Sequence, residues 1–180
     1  MMTSRLLAIA LVAAALLTAP TPSAHAAGTA AFDQAMGPVL AQYMRVHSAL
    51  ASDKLDGVSA AAKRIGKLAA KVKPGTVTGK HKAHYASLPK KIRAAAKKLA
   101  RAKSIDKART AFKELSRPMA MWATMSKPTG VNVVFCSMAK GSWLQKSAKI
   151  RNPYYGAKML ACGQIIGGAN QGKAGGHMKH

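Results

Sequence analysis

Acidic residues are scarce in this chain. Its 180 residues include 5 Asp or Glu against 29 Lys or Arg, which gives a formal net charge of +24. No Asp or Glu follows Glu114, so the last third lacks the carboxylates that act as general acids and bases or bind hard cations. We also find no Ser-His-Asp or Cys-His set, no Cys-x-x-Cys and no glycine-rich phosphate loop. The sequence therefore predicts a protein that is not an enzyme.

Long apolar runs are also few. Leu6 to Ala19 is apolar over 14 residues, follows the basic Arg5 and precedes the small-x-small sequence Ala24-His25-Ala26. This order is typical of a secretory signal peptide, and 14 residues are too few for a membrane span. We expect residues 1–26 to be the signal peptide and the mature chain to have no transmembrane segment. The expected location is periplasmic or secreted.

The excess of positive charge bears on the partners of the protein. Stretches rich in Lys and Ala would favour nucleic-acid binding inside a cell, because cationic side chains neutralise phosphates. The predicted export argues against nucleic acid as a partner in vivo. Anionic lipid or polymer surfaces of the envelope remain possible partners, and solvation of the basic faces is the plainer alternative.

Residues 31–126 have a helical pattern throughout. Apolar side chains recur at spacings of three and four, which predicts four amphipathic helices packed as an antiparallel bundle. We expect the third helix to open near Leu88-Pro89 and the fourth to be capped by Ser104. Pro118 is expected to kink or break the fourth helix. His47 lies on the apolar stripe of the first helix, where a hydrogen-bonded core histidine is more common than a ligand.

A different pattern follows the break at residues 127–130. Residues 131–136 are rich in β-branched side chains and predict a strand, which would place Met138 on the face of Cys136 if it continued. Residues 141–156 have the composition of turns with aromatic side chains. The predicted fold is therefore mainly α. A single domain at 27–166 contains the helices and a small strand and turn module at 131–166, and a disordered Gly/His tail follows at 167–180.

Two pairings of thiol and thioether stand in the C-terminal module. Cys136 and Met138 form the first, and Met159 and Cys162, one helical turn apart, form the second. Thiolates and thioethers are soft ligands that suit Cu(I), so these four residues are the candidate metal ligands. The tail adds possible accessory ligands at three positions, namely His177, Met178 and His180. The alternative is that Cys136 and Cys162 form a structural disulfide and the methionines fill the core.

The C-terminal sequence resembles a known domain. The positions that carry the resemblance are Cys136, Met138, Ala139, Gly141, Trp143, Leu144, Ile150, Asn152, Pro153, Tyr154, Gly156, Met159, Cys162 and Gly163. They are similar to a bacterial exported domain of unknown function that also occurs on the periplasmic adaptor (membrane-fusion) subunits of copper and silver efflux pumps. The chain departs from that pattern at Ser137, where the domain has proline. The resemblance implies a link to heavy-metal handling.

Two functional hypotheses follow. The first is an exported soft-metal binding protein that buffers or carries Cu(I) or Ag(I) in connection with heavy-metal efflux. The second is a basic binding module without metal, pinned by a Cys136–Cys162 disulfide, that docks on a periplasmic efflux-pump component or on an anionic envelope surface.

Overall fold

The computed structural model describes residues 24–75 and 77–170. Nearly all of the predicted signal peptide and the tail residues His177, Met178 and His180 lie outside these ranges. The elements in chain order are α1 (Ala24–Ala51), α2 (Val58–Ala69), α3 (Lys82–Ala100), α4 (Ile105–Ser126), β1 (Asn132–Cys136), β2 (Gly141–Gln145), a 3-10 turn (Gly156–Met159) and β3 (Gln164–Gly168). Among the described residues, no helix is both long enough and apolar enough to cross a membrane.

Each helix packs against the next, and α1 also contacts α4. The start of α1 meets the end of α4, where the Trp122 indole N–H donates to Asp33 at 2.8 Å. The end of α1 meets the start of α4, because Arg109 donates to the Leu50 carbonyl at 3.2 Å. These two helices therefore run in opposite directions. α3 and α4 also run in opposite directions. The Tyr85 hydroxyl near the start of α3 lies 2.7 Å from the Ser126 hydroxyl at the end of α4, and Lys98 near the end of α3 pairs with Glu114.

α3 starts earlier than predicted, and of the kink or break predicted at Pro118 the break does not occur. α3 begins at Lys82 and passes through Pro89, and α4 runs without a break through the buried Pro118. A proline inside a helix removes one backbone hydrogen bond, yet buried neighbours such as Leu88 and Met119 stabilise the continuous helix. The cap of α4 is as predicted, because the Ser104 hydroxyl accepts the Lys107 N–H.

The C-terminal module is a three-stranded antiparallel sheet in the order β2-β1-β3. β2 packs against α4 and also contacts α1. The Tyr43 hydroxyl joins the two parts, because it lies 2.7 Å from the Ser116 hydroxyl and accepts the Leu144 N–H at 3.1 Å. The prediction of a mainly helical protein with a small strand module is confirmed.

Two strands occur where the sequence pattern predicted none. β2 occupies residues for which turns were expected, and β3 runs through Gly167 and Gly168, past the predicted start of the tail. β1 ends at Cys136, so the strand does not continue to Met138. The chain turns at residues 137–140 instead, and Lys140 adopts a left-handed conformation there.

Candidate functional site

Two cysteines from separate segments meet at one end of the sheet. Cys136 is the last residue of β1, and Cys162 lies between the 3-10 turn and β3. Their Sγ atoms are 2.9 Å apart, although 26 positions separate them in the sequence. Cys136 is 1% exposed, whereas Cys162 is half-buried. The predicted metal site and the predicted disulfide both require the two thiols to converge, and this convergence is confirmed. The pair has one buried and one accessible member.

Asn152 organises the segment that carries Cys162. Its side-chain amide donates to the Cys162 carbonyl at 2.8 Å, and its side-chain oxygen accepts the Tyr154 N–H at 2.8 Å. Its backbone N–H donates to the Leu160 carbonyl at 2.7 Å. The side chain is fully buried. One buried amide therefore closes residues 152–162 into a compact loop and fixes the backbone of the second thiol.

Two glycines allow this loop to fit. Gly163 has a φ of +153°, and a Cβ at this position would lie 2.6 Å from the ring of the buried Trp143. Gly156 has a φ of +57°, and a Cβ there would collide with Asp53 and Arg109. Both positions need glycine for close approach as well as for backbone conformation.

Arg109 on α4 fastens the same loop to the helices. Its guanidinium donates to Asp53 at 2.6 Å and to the carbonyls of Leu50 and Pro153 at 3.2 Å each. Asp53 in turn accepts the Ala157 N–H at 2.8 Å. The backbone N–H of Ala157 and the Arg109 guanidinium hold the pKa of the Asp53 carboxyl below its ordinary value. The ion pair therefore connects α1, α4 and the loop that carries Cys162.

The two thiols differ in their affinity for a proton. Burial raises the pKa of Cys136, but hydrogen bonds from the Cys162 thiol, the Ala139 and Met138 backbone and the Asn152 side chain outweigh it and leave that pKa below its ordinary value. The hydrogen bond to Cys136 raises the pKa of Cys162 to about 11. Cys136 is therefore the member that loses its proton first, and Cys162 donates to it. A thiolate is the form that binds metals and attacks disulfides.

The predicted thioether ligands lie on segments next to the thiols. Met138 is in the turn after Cys136 and is 63% exposed, and its carbonyl accepts the Tyr155 hydroxyl at 3.3 Å. Met159 ends the 3-10 turn and is half-buried, and its carbonyl accepts the Cys162 N–H at 3.0 Å. Within residues 24–75 and 77–170, no three His, Cys, Asp or Glu side chains gather as a metal cluster.

His47 is a buried core histidine, as its position on the apolar stripe predicted. Its Nε2 atom lies 2.9 Å from the Arg151 carbonyl, next to the loop that carries Cys162. Burial lowers the pKa of His47 to about 4. The neutral ring therefore donates a hydrogen bond that ties α1 to this loop.

The sequence patterns missed the residues that support the thiols. Asn152 was noted for its place in the Asn-Pro-Tyr motif, but nothing in its spacing indicated that it would bind the Cys162 backbone. Arg109 and Asp53 are 56 positions apart, and each looks like an ordinary surface charge in the sequence. The scarcity of acidic residues indicates that each carboxylate has many available cations, but this signal does not distinguish Asp53 from the other four acidic residues.

Comparison with known proteins shows that the chain matches a family whose function is unknown. The family described as "Protein of unknown function (DUF3347)" matches residues 39–130, which is just over half of the chain. No curated protein and no solved structure matches the chain significantly. The matched range begins within α1, covers α2 to α4 and ends before β1, so it does not include the thiol pair.

Proposed function

The chain belongs to the DUF3347 family, whose function is unknown. We propose that it is an exported soft-metal binding protein. It holds Cu(I) or Ag(I) through the thiolates of Cys136 and Cys162 and serves to buffer or carry the ion in connection with heavy-metal efflux. The observation that carries the proposal is the contact between the two sulfur atoms at 2.9 Å.

The chemistry of the donors supports this proposal. Two thiolates supply negative charge and strong bonds to a soft ion, and the lowered pKa of Cys136 favours the ionised form of the first ligand. Met138 and Met159 carry thioethers that need no deprotonation, so they add soft ligands without adding charge. Cys162 and Met138 are at least partly exposed, which gives an ion in solution a path to the sulfur atoms.

The spacing of the thiols fits a metal after a small movement. Two thiolates on one ion, each at about 2.3 Å as in zinc–sulfur bonds, lie about 3.8 to 4.6 Å apart for tetrahedral to linear geometry. The Sγ atoms at 2.9 Å must therefore separate by roughly 1 Å or more when an ion enters. Cys136 is buried at the end of β1, so the movement belongs to the half-buried side chain of Cys162.

The test is a competition for Cu(I) against a chelator of moderate affinity, with the reduced protein. We expect wild-type protein to take up one equivalent, and Cys136→Ser or Cys162→Ser to abolish that uptake. Met138→Leu and Met159→Leu should weaken binding and leave the fold intact, because Leu nearly conserves the volume of Met.

Met121→Leu is the matched control, because this half-buried methionine of α4 lines a surface pocket with α3 and not with the sheet. It should bind Cu(I) as wild type does. If the double Cys→Ser variant competes as well as the wild-type protein, the metal proposal is wrong.

A second function is favoured by the same contact between the sulfur atoms. The same contact also suits a disulfide, which would contribute about 3.5 kcal/mol by closing a loop of this length. The protein would then be a pinned basic module that docks on an efflux-pump component or an anionic envelope surface. In that case Cu(I) uptake is absent, and binding to anionic vesicles weakens steeply between about 50 and 200 mM salt.

A further inference from the structure

A groove with a floor of small side chains runs between α2 and α3. It has a volume of about 770 Å³. The floor consists of the buried or half-buried Ala62, Gly66, Ala96 and Ala100, and the exposed Ala70 and Ala94 also line the groove. A Cβ on Gly66 would lie 4.0 Å from the Cβ of Ala96, so the two helices approach each other closely here. The floor is therefore smooth, apolar and near the helix backbones.

Both walls of the groove are basic. The cations that line it are Lys63 and Lys67 on α2, with Lys90, Arg93, Lys97 and Arg101 along α3. All six side chains are exposed. Their spacings of three or four residues keep each row on one side of its helix. We call this feature the basic groove.

The charge of the basic groove is not neutralised by the chain itself. No Asp or Glu lines it. The ion pairs within the described ranges are Lys98–Glu114 and Arg109–Asp53, and neither involves a residue of the groove. Residues 1–23 and 171–180 also contain no Asp or Glu. A second copy carries the same excess of positive charge, so the complementary charge must come from a different molecule.

We propose that the basic groove binds an amphipathic α-helix of a partner protein whose narrow apolar stripe is flanked by Asp and Glu. A floor of Ala and Gly lets a third helix approach closely, and the two basic walls match acidic residues on both sides of its stripe. A uniform polyanion would contact the walls and leave the apolar floor uncovered. This surface is separate from the thiol pair, and the proposal does not depend on metal binding.

The test uses two synthetic helical peptides of about 18 residues, long enough to follow α2 and the facing part of α3. One carries an Ala stripe flanked by Glu, and the other has the same residues in scrambled order with the same charge. We expect the full chain to bind the striped peptide about tenfold more tightly than the scrambled peptide. Equal binding of the two peptides would overturn the proposal.

Charge reversal locates the binding surface. The triple variant Lys67→Glu, Arg93→Glu and Lys97→Glu should weaken binding of the striped peptide by about tenfold or more, as expected from the loss of three exposed ion pairs. The matched control reverses three exposed cations on or next to the same helices outside the groove, Arg64→Glu, Lys71→Glu and Lys91→Glu. It has the same net charge and should bind nearly as wild type does. Equal losses in the two variants would show that the attraction is not specific to the groove.

Filling the floor provides an independent variant that keeps every charge. Gly66→Leu places a larger side chain in the groove at a helical position and should reduce striped-peptide binding without lowering helix content. Unchanged binding would overturn the role of the floor.

Binding to vesicles of phosphatidylglycerol and phosphatidylcholine is the last experiment. If the groove variants lose vesicle binding while the striped peptide does not bind, the surface is a membrane site and the proposal is wrong.

Discussion

Individual side chains connect the thiol pair to the rest of the molecule. His47 is a clear case, because its position on an apolar stripe indicated burial but not its partner. The ring lies 2.9 Å from a carbonyl that is 104 positions away, at the start of the loop that carries Cys162. Such a contact depends on how the helices and the loop pack together, so it cannot be predicted from periodicity in the sequence.

We predict that His47 makes folding sensitive to acid. Its folded pKa of about 4 lies below the ordinary value of 6.5, so the unfolded chain binds the proton first as the pH falls. The free energy of unfolding should therefore decrease between about pH 6.5 and 4, by about 3 kcal/mol in total, and be level above that range. Denaturant unfolding at several pH values measures it.

His47→Gln is the matched variant, since its amide nitrogen is placed to donate to the same carbonyl and does not titrate. The difference between wild type and variant should change with pH across that window. A constant difference would show that His47 does not contribute to the acid sensitivity, whatever other groups titrate.

The buried amide of Asn152 should tune the thiols as well as stabilise the loop. Its side chain helps to lower the pKa of Cys136, so Asn152→Ala should raise the pH midpoint of thiol alkylation in the reduced, metal-free protein. The variant should also lose about 1 to 3 kcal/mol of stability, because the Cys162 carbonyl and Tyr154 N–H lose their partner.

Asn132→Ala is the control for that experiment. Asn132 is equally buried, and its amide binds the carbonyls of Lys146 and Ser147 at the other end of β1. It should destabilise the protein by a similar amount without moving the alkylation midpoint. A shift of equal size in both variants would mean that loosening of the fold, and not the hydrogen bond, sets the reactivity.

At the scale of elements, the helices were predictable and two of the strands were not. Helical periodicity extends over many residues, so it survives local exceptions such as Pro89 and Pro118. β2 and β3 are five residues each and include glycines, and both are specified mainly by pairing with β1. Composition alone favoured turns there, and long-range pairing overrode that preference.

Arg109 attaches the loop that carries Cys162 to the helices, so substitution of Arg109 should destabilise the protein. The side chain is 12% exposed and makes three hydrogen bonds that join α1, α4 and the loop. We expect Arg109→Met to lower the free energy of unfolding by about 2 to 3 kcal/mol, since the carbonyls of the buried Leu50 and Pro153 lose their donor. Hydrogen exchange at the Ala157 amide should accelerate.

Lys98→Met removes the other ion pair and serves as the control. Both of its partners are well exposed, so the loss should be at most about 0.5 kcal/mol. Equal losses for Arg109→Met and Lys98→Met in denaturant unfolding would contradict the assignment of Arg109 as the clamp of the loop.

At the scale of the whole molecule, the chain consists of a basic helical scaffold and a small sheet that brings two thiols together. The repetition of Cys and Met in the sequence indicated that Cys136 and Cys162 would converge, and the structure confirms it. The exposed position of Met138 was not predictable, because it depends on β1 ending two residues earlier. The basic groove was also not predictable from the sequence, since it forms only when the basic side chains of α2 and α3 lie side by side.

Thiol counting on the protein purified under non-reducing conditions, with and without Cu(I), tests the central claim most directly. We predict two reactive thiols in the metal-free protein after denaturation, and protection of both from alkylation by one equivalent of Cu(I) in the folded state. Protection should disappear when the ion is removed by a strong chelator. A protein that shows no free thiols before reduction, and no protection by Cu(I) after reduction, would contradict metal binding and leave the disulfide as the role of this pair.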